Sequence, residues 1–261
     1  MVRRAAIILV ALSGFFTNVG WAGYTVDGSL SDWGVTPFWH WAPDGSAVYT
    51  QTAGDNLYNA TSWSLTNYDF EAMYFDSDAT NFYVAVVGSH PMAPVQSSGD
   101  LGLDLNGDMS ISPHGVVTGL EYAMLVGSGD GSQLGQVRSD PDWSPTLLKE
   151  WDGEGWQGGP YRASGGTLIG SGTVAFQYDS YMEFGTYIME AAIPRNIFPN
   201  NGGSAGDTVG LHLTMWCGND SINLIGTLHD PIPPVPAPGA FLLSSLGAAL
   251  VGWLRRRKGQ L

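Results

Sequence analysis

Four hard-oxygen side chains recur at short spacing in one stretch of the chain: Asp100, Asp104, Asn106 and Asp108. Carboxylates and amides at alternate positions suit calcium, which gathers roughly six to eight oxygens at about 2.3–2.6 Å. The run Asp104-x-Asn106-x-Asp108 matches the first half of a calcium loop, but the twelfth position counted from Asp104 is Gly115, not the bidentate Glu of an EF-hand. Two readings stay open. One is a calcium loop completed by carbonyls and a distant acid; the other is an Asn-Gly hairpin turn carrying solvated acids. Asp76 and Asp78 form a second turn of the same kind.

Aromatic rings are the other chemical resource, because a tryptophan face stacks on the apolar face of a sugar while nearby acids and amides bind its hydroxyls. Trp33, Trp39, Trp41 and Trp63 crowd the early region, and Trp143, Trp151 and Trp156 crowd a glycine-rich stretch between Ser139 and Pro160. A long connection without regular structure is often functional. Trp151 and Trp156, flanked by Asp152, Glu154 and Gln157, are therefore the ligand-binding candidates. The alternative for any one tryptophan is packing, since large aromatics are mostly buried, and Trp33 is read as structural.

Catalytic patterns are thin. Gly202-Gly-Ser-Ala-Gly206 has the spacing of a nucleophile elbow, yet Asn200-Asn201 before it reads as a loop leading into a strand, where the elbow needs a strand-to-helix turn. The five histidines show no His-x-x-x-His spacing. Gly127-Ser-Gly-Asp-Gly131 lacks the Lys-Ser/Thr of a phosphate loop. Acid pairs are too plentiful among 24 acids to indicate glycoside hydrolysis without geometry. The expectation is a protein that is not an enzyme.

Between Gly23 and Asp230 no stretch of a dozen residues holds a helical period free of Gly or Pro, while short alternating runs recur between turn residues. Strands are expected at Phe70–Phe75, Phe82–Val87, Leu101–Leu105, Leu120–Val126, Leu134–Arg138, Thr173–Tyr178, Tyr187–Ile193, Val209–Cys217 and Ile222–Leu228. The first two should form a hairpin across Asp76–Asn81. In the eighth, Leu211, Leu213, Met215 and Cys217 should face the core, and His212, Thr214 and Trp216 outward or toward a covering loop. Pro194 should end the seventh strand, leaving Arg195–Phe198 to make one helical turn. The fold class expected is all-β: a single antiparallel β-sandwich of about nine strands, with a signal helix before it and a transmembrane helix after it.

Composition agrees. With 44% hydrophobic and 13% charged residues the chain can bury a core and does not read as disordered. One cysteine excludes a disulfide framework and a cysteine-based zinc or iron–sulfur site. Six of the ten basic residues sit at the ends, so the body carries four against all 24 acids, a balance of −20. Such a body repels nucleic acid and anionic membrane, and favours divalent cations and neutral polymers as partners.

The ends read as addresses. Arg3 and Arg4, the apolar run Ala5–Phe16 and the small residues Gly20 and Ala22 have the layout of a secretory signal peptide at 1–22. A body at 23–229 follows, then a proline-rich linker at 230–238, an apolar stretch at 239–254 and Arg255-Arg256-Arg257-Lys258. Sixteen apolar residues make a short membrane helix whose flanking arginines can snorkel and whose basic tail stays in the cytoplasm. The order Val235-Pro236-Ala237-Pro238, apolar helix, arginine cluster resembles the PEP-CTERM sorting signal of Gram-negative bacteria that make exopolysaccharide, with Ala237 where the usual motif has Glu. That resemblance covers residues 235–261. It implies processing by a membrane exosortase-type enzyme, attachment through the C-terminal helix before cleavage, and a destination at the cell surface or in the extracellular matrix.

Val26-Asp27-Gly28-Ser29-Leu30-Ser31-Asp32-Trp33, Asn81–Val86, Asp100–Asp104 and Tyr187–Pro194 are, in that order, similar to family 9 carbohydrate-binding modules and their DOMON-like relatives. The resemblance implies a β-sandwich that binds sugar without cutting it, often with structural calcium. The expectation is an exported protein whose sandwich binds extracellular polysaccharide. The alternative from another class is a structural matrix or adhesion component without a ligand pocket. An ice-binding surface would need regularly repeated threonines, which are absent.

Overall fold

Runs that alternate apolar and polar residues between Gly-, Asn- and Asp-rich turns can satisfy their backbone only by pairing into sheets. The computed structural model describes residues 23–37, 39–51, 69–89, 98–112, 115–127, 132–144, 159–179, 186–215 and 220–229, and there the chain is predominantly β, with antiparallel strand pairing. Strands are numbered in chain order. A five-stranded sheet runs β1 (Val48–Gln51), β2 (Phe70–Ser77), β3 (Asn81–Gly88), β13 (Thr186–Pro194), β12 (Thr173–Asp179). A six-stranded sheet runs β11 (Thr167–Ser171), β8 (Gln136–Ser139), β7 (Tyr122–Met124), β4 (Leu101–Asp104), β14 (Thr208–Thr214), β15 (Ser221–Thr227). Two short ribbons complete the set: β5 (Ser110–Ile111) with β6 (Val117–Thr118), and β9 (Asp142–Ser144) with β10 (Arg162–Ser164).

Each of the nine segments expected as strands overlaps one. The β2–β3 hairpin forms as expected, its turn closed by Asp78, whose Oδ1 accepts the amides of Thr80 at 2.7 Å and Asn81 at 2.8 Å. The helical turn expected after Pro194 is a 3-10 turn, Arg195–Ile197. The strands that periodicity missed, β1, β5, β6, β9, β10 and β11, are short, two to five residues each.

Phe75, Val84, Val86, Met189 and Ala191 of the five-stranded sheet join Leu101, Leu103, Met124, Leu211, Leu213 and Ile222 of the six-stranded sheet in one buried cluster. Each of these side chains larger than alanine contributes roughly 1.5–3 kcal/mol on leaving water. Met215 belongs to the same core, as the alternation demands, while Cys217 and Trp216 lie outside the described residues. At one side Gly172 alone separates β11 from β12, so the chain passes directly from one sheet to the other. A Cβ there would stand 2.4 Å from the Ala192 carbonyl oxygen, which admits only glycine. At the opposite side β15 lies against β1 and β2, where a Cβ on Gly226 would meet Val48 Cγ2 at 2.6 Å.

The outer face of the five-stranded sheet is also covered. Leu30, Trp33 and Val35 of the N-terminal segment pack on Ala72, Tyr74, Tyr83, Ala85, Val87 and Ile188. Burial on both faces explains why β2 and β3 read as nearly continuous apolar runs. Over the six-stranded sheet, Trp143 of β9 and Ala163 of β10 cover Ala123 and Leu125. Among the described residues no helix is long and apolar enough to cross a membrane; the segments read as signal peptide, linker and tail lie outside them.

Candidate metal site and the buried acids

Asp104 ends β4, and its carboxylate organises the loop that follows. Oδ1 accepts the amides of Asn106 at 2.9 Å and Gly107 at 2.7 Å, and Oδ2 accepts that of Met109 at 2.7 Å. Gly107 takes φ +79° to make the turn. Asn106 Oδ1 then accepts the Asp108 amide at 2.9 Å, which sets Asp108 over Gly119, where a Cβ would come 2.5 Å from Asp108 Oδ1.

The antiparallel register that sets Leu103 opposite Tyr122 brings Glu121 alongside Asp104. Glu121 Oε1 accepts Asn106 Nδ2–H at 2.9 Å and Oε2 accepts the Leu105 amide at 3.2 Å. Asp104, Asp108 and Glu121 thereby present carboxylate oxygens within 4.8 Å of one another. At that separation two full charges repel by roughly 3 kcal/mol for an effective dielectric of about 20. Desolvation, reinforced by the charges of Asp104 and Asp108 and opposed by the Leu105 hydrogen bond, pushes Glu121 up to about 7. The donor set is all hard oxygen, the chemistry calcium selects.

Of the residues expected to hold calcium, Asp104, Asn106 and Asp108 share this corner and Asp100 does not join it. Asp100 lies at the far end of β4, buried, its Oδ1 accepting the amides of Val126 and Gly127 at 3.1 Å each and its Oδ2 that of Ala163 at 3.0 Å. It ties β10 to the six-stranded sheet, and burial raises its pKa above the usual carboxylate range. Glu121 was not singled out in the sequence, because its place is a consequence of strand register and not of local spacing.

Other acids are internal acceptors as well. Asp220 accepts the amides of Phe70 and Ser221. Glu190 on β13 receives the Asp27 amide at 3.0 Å, the Gly28 amide at 2.6 Å and the Trp33 indole N–H at 2.7 Å. This gives the Asp-Gly and Asp-Trp elements of the opening motif a structural role. Trp33 is buried, as read. Asn200, Asn201 and Gly202 take left-handed conformations, and the Asn201 and Gly203 carbonyls accept from the Arg195 guanidinium at 2.9 and 2.7 Å. The Gly-x-Ser-x-Gly spacing therefore sits in a loop before β14, as expected.

Among the other tryptophans, Trp39 is 85% exposed, Trp41 is half-buried, and Trp143 is half-buried with its Nε1–H on the Leu120 carbonyl at 3.1 Å. The ligand-binding candidates Trp151, Asp152, Trp156 and Gln157 lie outside the described residues, as do Trp63 and the sorting residues Val235, Pro236, Ala237, Pro238, Arg255, Arg256 and Arg257. Compared with protein-family models, with curated proteins and with solved structures, the chain finds no match.

Proposed function

We propose that the chain is an exported cell-surface or matrix protein, sorted through its C-terminal tail, whose body is a β-sandwich that binds extracellular polysaccharide without cutting it. Calcium bound by Asp104, Asp108 and Glu121 would serve as a structural ion pinning the β4–β5 loop to β7. The tail supports export and membrane-held processing by an exosortase-type enzyme. The core shared by the two larger sheets supports the sandwich.

The observation that carries the reading is how the buried acids are used. Asp100, Asp104, Glu190 and Asp220 each accept hydrogen bonds from the protein's own backbone, which makes them parts of the scaffold. Only at the Asp104–Asp108–Glu121 corner do three acids converge among the described residues.

That corner also favours one second reading, a glycoside-active enzyme, because a carboxyl with a raised pKa beside two further carboxyls is an acid–base arrangement. Two facts weigh against it. Asn106, Gly107 and Asp108 are exposed on the loop, and Asp104 is bound to three backbone amides.

The test is retention of the full chain on the producing organism's own exopolysaccharide and on neutral glycans, with calcium and with chelator, while reducing ends are counted. Saturable retention that calcium strengthens, without new reducing ends, and that falls on Trp151→Ala or Trp156→Ala, is the expected result. No retention on any polymer would leave a structural surface component as the better account, and release of reducing ends would establish the enzyme.

A further inference from the structure

We infer that the surface carrying Trp39 and Tyr49, on the two segments that Tyr74 anchors, is a glycan-contacting face that takes a neutral polysaccharide; this rests on the polysaccharide-binding reading above and adds a location to it.

Trp39 is 85% exposed, yet it is not on a loose end. Its turn is closed by backbone bonds: the Thr36 amide to the His40 carbonyl at 2.9 Å, the His40 amide back to the Thr36 carbonyl at 2.7 Å, and the Trp39 amide to the same Thr36 carbonyl at 3.0 Å. A tryptophan held in water by a hydrogen-bonded turn contributes little to the core; its apolar face is available to a ligand.

Tyr74 anchors both segments of this surface. Its hydroxyl donates to the Trp41 carbonyl at 3.0 Å, which fixes the segment that follows Trp39. Its ring carries Tyr49, the residue opposite it in the β1–β2 register, stacked at 5.8 Å between centroids and 12° between planes. Tyr74 in turn rests on buried Trp33 at 6.0 Å. Tyr49 is thus backed on one face by a buried aromatic column and is 42% exposed. A ring supported in this way loses little freedom on binding, which is what a stacking platform requires.

The flanks are polar. Gln51, exposed and two residues beyond Tyr49, shares its face of β1, and Thr36 is exposed in the Trp39 turn, so amide and hydroxyl groups border the rings. The body's balance of −20 disfavours an anionic polymer over this surface. Rings with polar flanks on an acidic body suit the C–H faces and hydroxyls of a neutral sugar chain.

The experiment is affinity electrophoresis of the full chain in mild detergent through gels cast with hydroxyethylcellulose, dextran, laminarin or alginate, with sedimentation mass measured in parallel. The proteins compared are wild type, Trp39→Ala, Tyr49→Ser, Tyr49→Phe and Trp156→Ala, each checked for an unchanged melting transition. The expected result is retardation by a neutral polymer that weakens about tenfold in Trp39→Ala and Tyr49→Ser, persists in Tyr49→Phe, and is absent with alginate. Neutral-polymer retardation that Trp39→Ala and Tyr49→Ser leave intact would overturn this face while the polysaccharide reading stands. Retardation by no polymer overturns both. A fall in mass on Trp39→Ala without any change in retardation would assign the face to contacts between copies, and would overturn the glycan assignment.

Discussion

Glu190 and Trp33, 157 residues apart in sequence, meet at 2.7 Å, the indole N–H donating to carboxylate Oε1 beneath the N-terminal segment. The other carboxylate oxygen holds the Asp27 and Gly28 amides, so one side chain satisfies three donors that burial would otherwise leave unpaired. Charge-assisted bonds of this kind are worth roughly 1.5–3 kcal/mol each, and the cost of breaking them is set by the donors left behind. Glu190→Ala should therefore lower unfolding free energy by about 3–5 kcal/mol, and Glu190→Gln, which keeps an acceptor oxygen, by less. Urea titration followed by tryptophan fluorescence measures both. A loss under about 1 kcal/mol for the alanine variant would mean that the segment is held by its apolar contacts alone.

Gly28 takes φ +84°, and a Cβ there would stand 2.7 Å from Gln177 Cβ; Gly45 takes φ +79° in open space. Gly45→Ala should cost about 1 kcal/mol from backbone strain. Gly28→Ala adds a clash between the N-terminal segment and β12, for a total of about 2–4 kcal/mol. Equal losses in the two variants would remove the steric part of the explanation.

His212 is fully buried, with Nε2 2.9 Å from the Pro160 carbonyl oxygen and Nδ1 2.7 Å from the Asn223 amide. Both facing atoms, the Pro160 carbonyl oxygen and Asn223 Oδ1, are acceptors, so they favour the protonated ring, whereas the neutral ring has a single N–H to donate. Burial pushes the His212 pKa below its ordinary value, against the pull of these two partners. The unfolded chain consequently takes up a proton near pH 6.5 that the fold excludes. The stabilising contribution is fully present above that pH and is lost as pH falls toward the folded-state value. Unfolding free energies measured from pH 8 to pH 5 should decline on the acid side, and His212→Gln should flatten that decline. An unchanged slope in the variant would assign the acid loss to other groups.

Calcium at the Asp104–Asp108–Glu121 corner should stabilise the full chain by about 2.7 kcal/mol at one hundred times its dissociation constant. Asp108→Asn, which leaves the Asp104 backbone clamp intact, should abolish that gain. Without calcium it should be neutral or slightly stabilising, because it removes one carboxyl from a crowded acidic corner. Thermal unfolding in calcium and in chelator reads both effects. A calcium shift that survives Asp108→Asn would move the ion elsewhere.

Strands were legible wherever a run was long enough to show its period. β3 and β13 announce themselves, and in β14 the alternation of Leu211 and Leu213 with His212 and Thr214 correctly separates core from cover. Ribbons of two or three residues, such as β5–β6 and β9–β10, carry too few positions for a period and were not read. The metal corner was half legible. Asp104, Asn106 and Asp108 are close in sequence, whereas Glu121 arrives through β4–β7 pairing and Asp100 leaves through the direction of a four-residue strand. Carboxylate spacing along one chain segment cannot separate an acid that faces a cation from one that clamps its own backbone.

The direct passage from β11 to β12 through Gly172 makes the two long seams of the molecule unequal. On that side the sheets are joined by a single residue of backbone, and parting them requires the chain itself to straighten or its strand ladders to break. On the other side β15 lies against β1 and β2 with no strand ladder between them. Fluctuations that admit water to the core should therefore begin along β1 and β15, with Gly172 as the spine, and amide protons there should exchange with solvent earlier than those of β3 and β13.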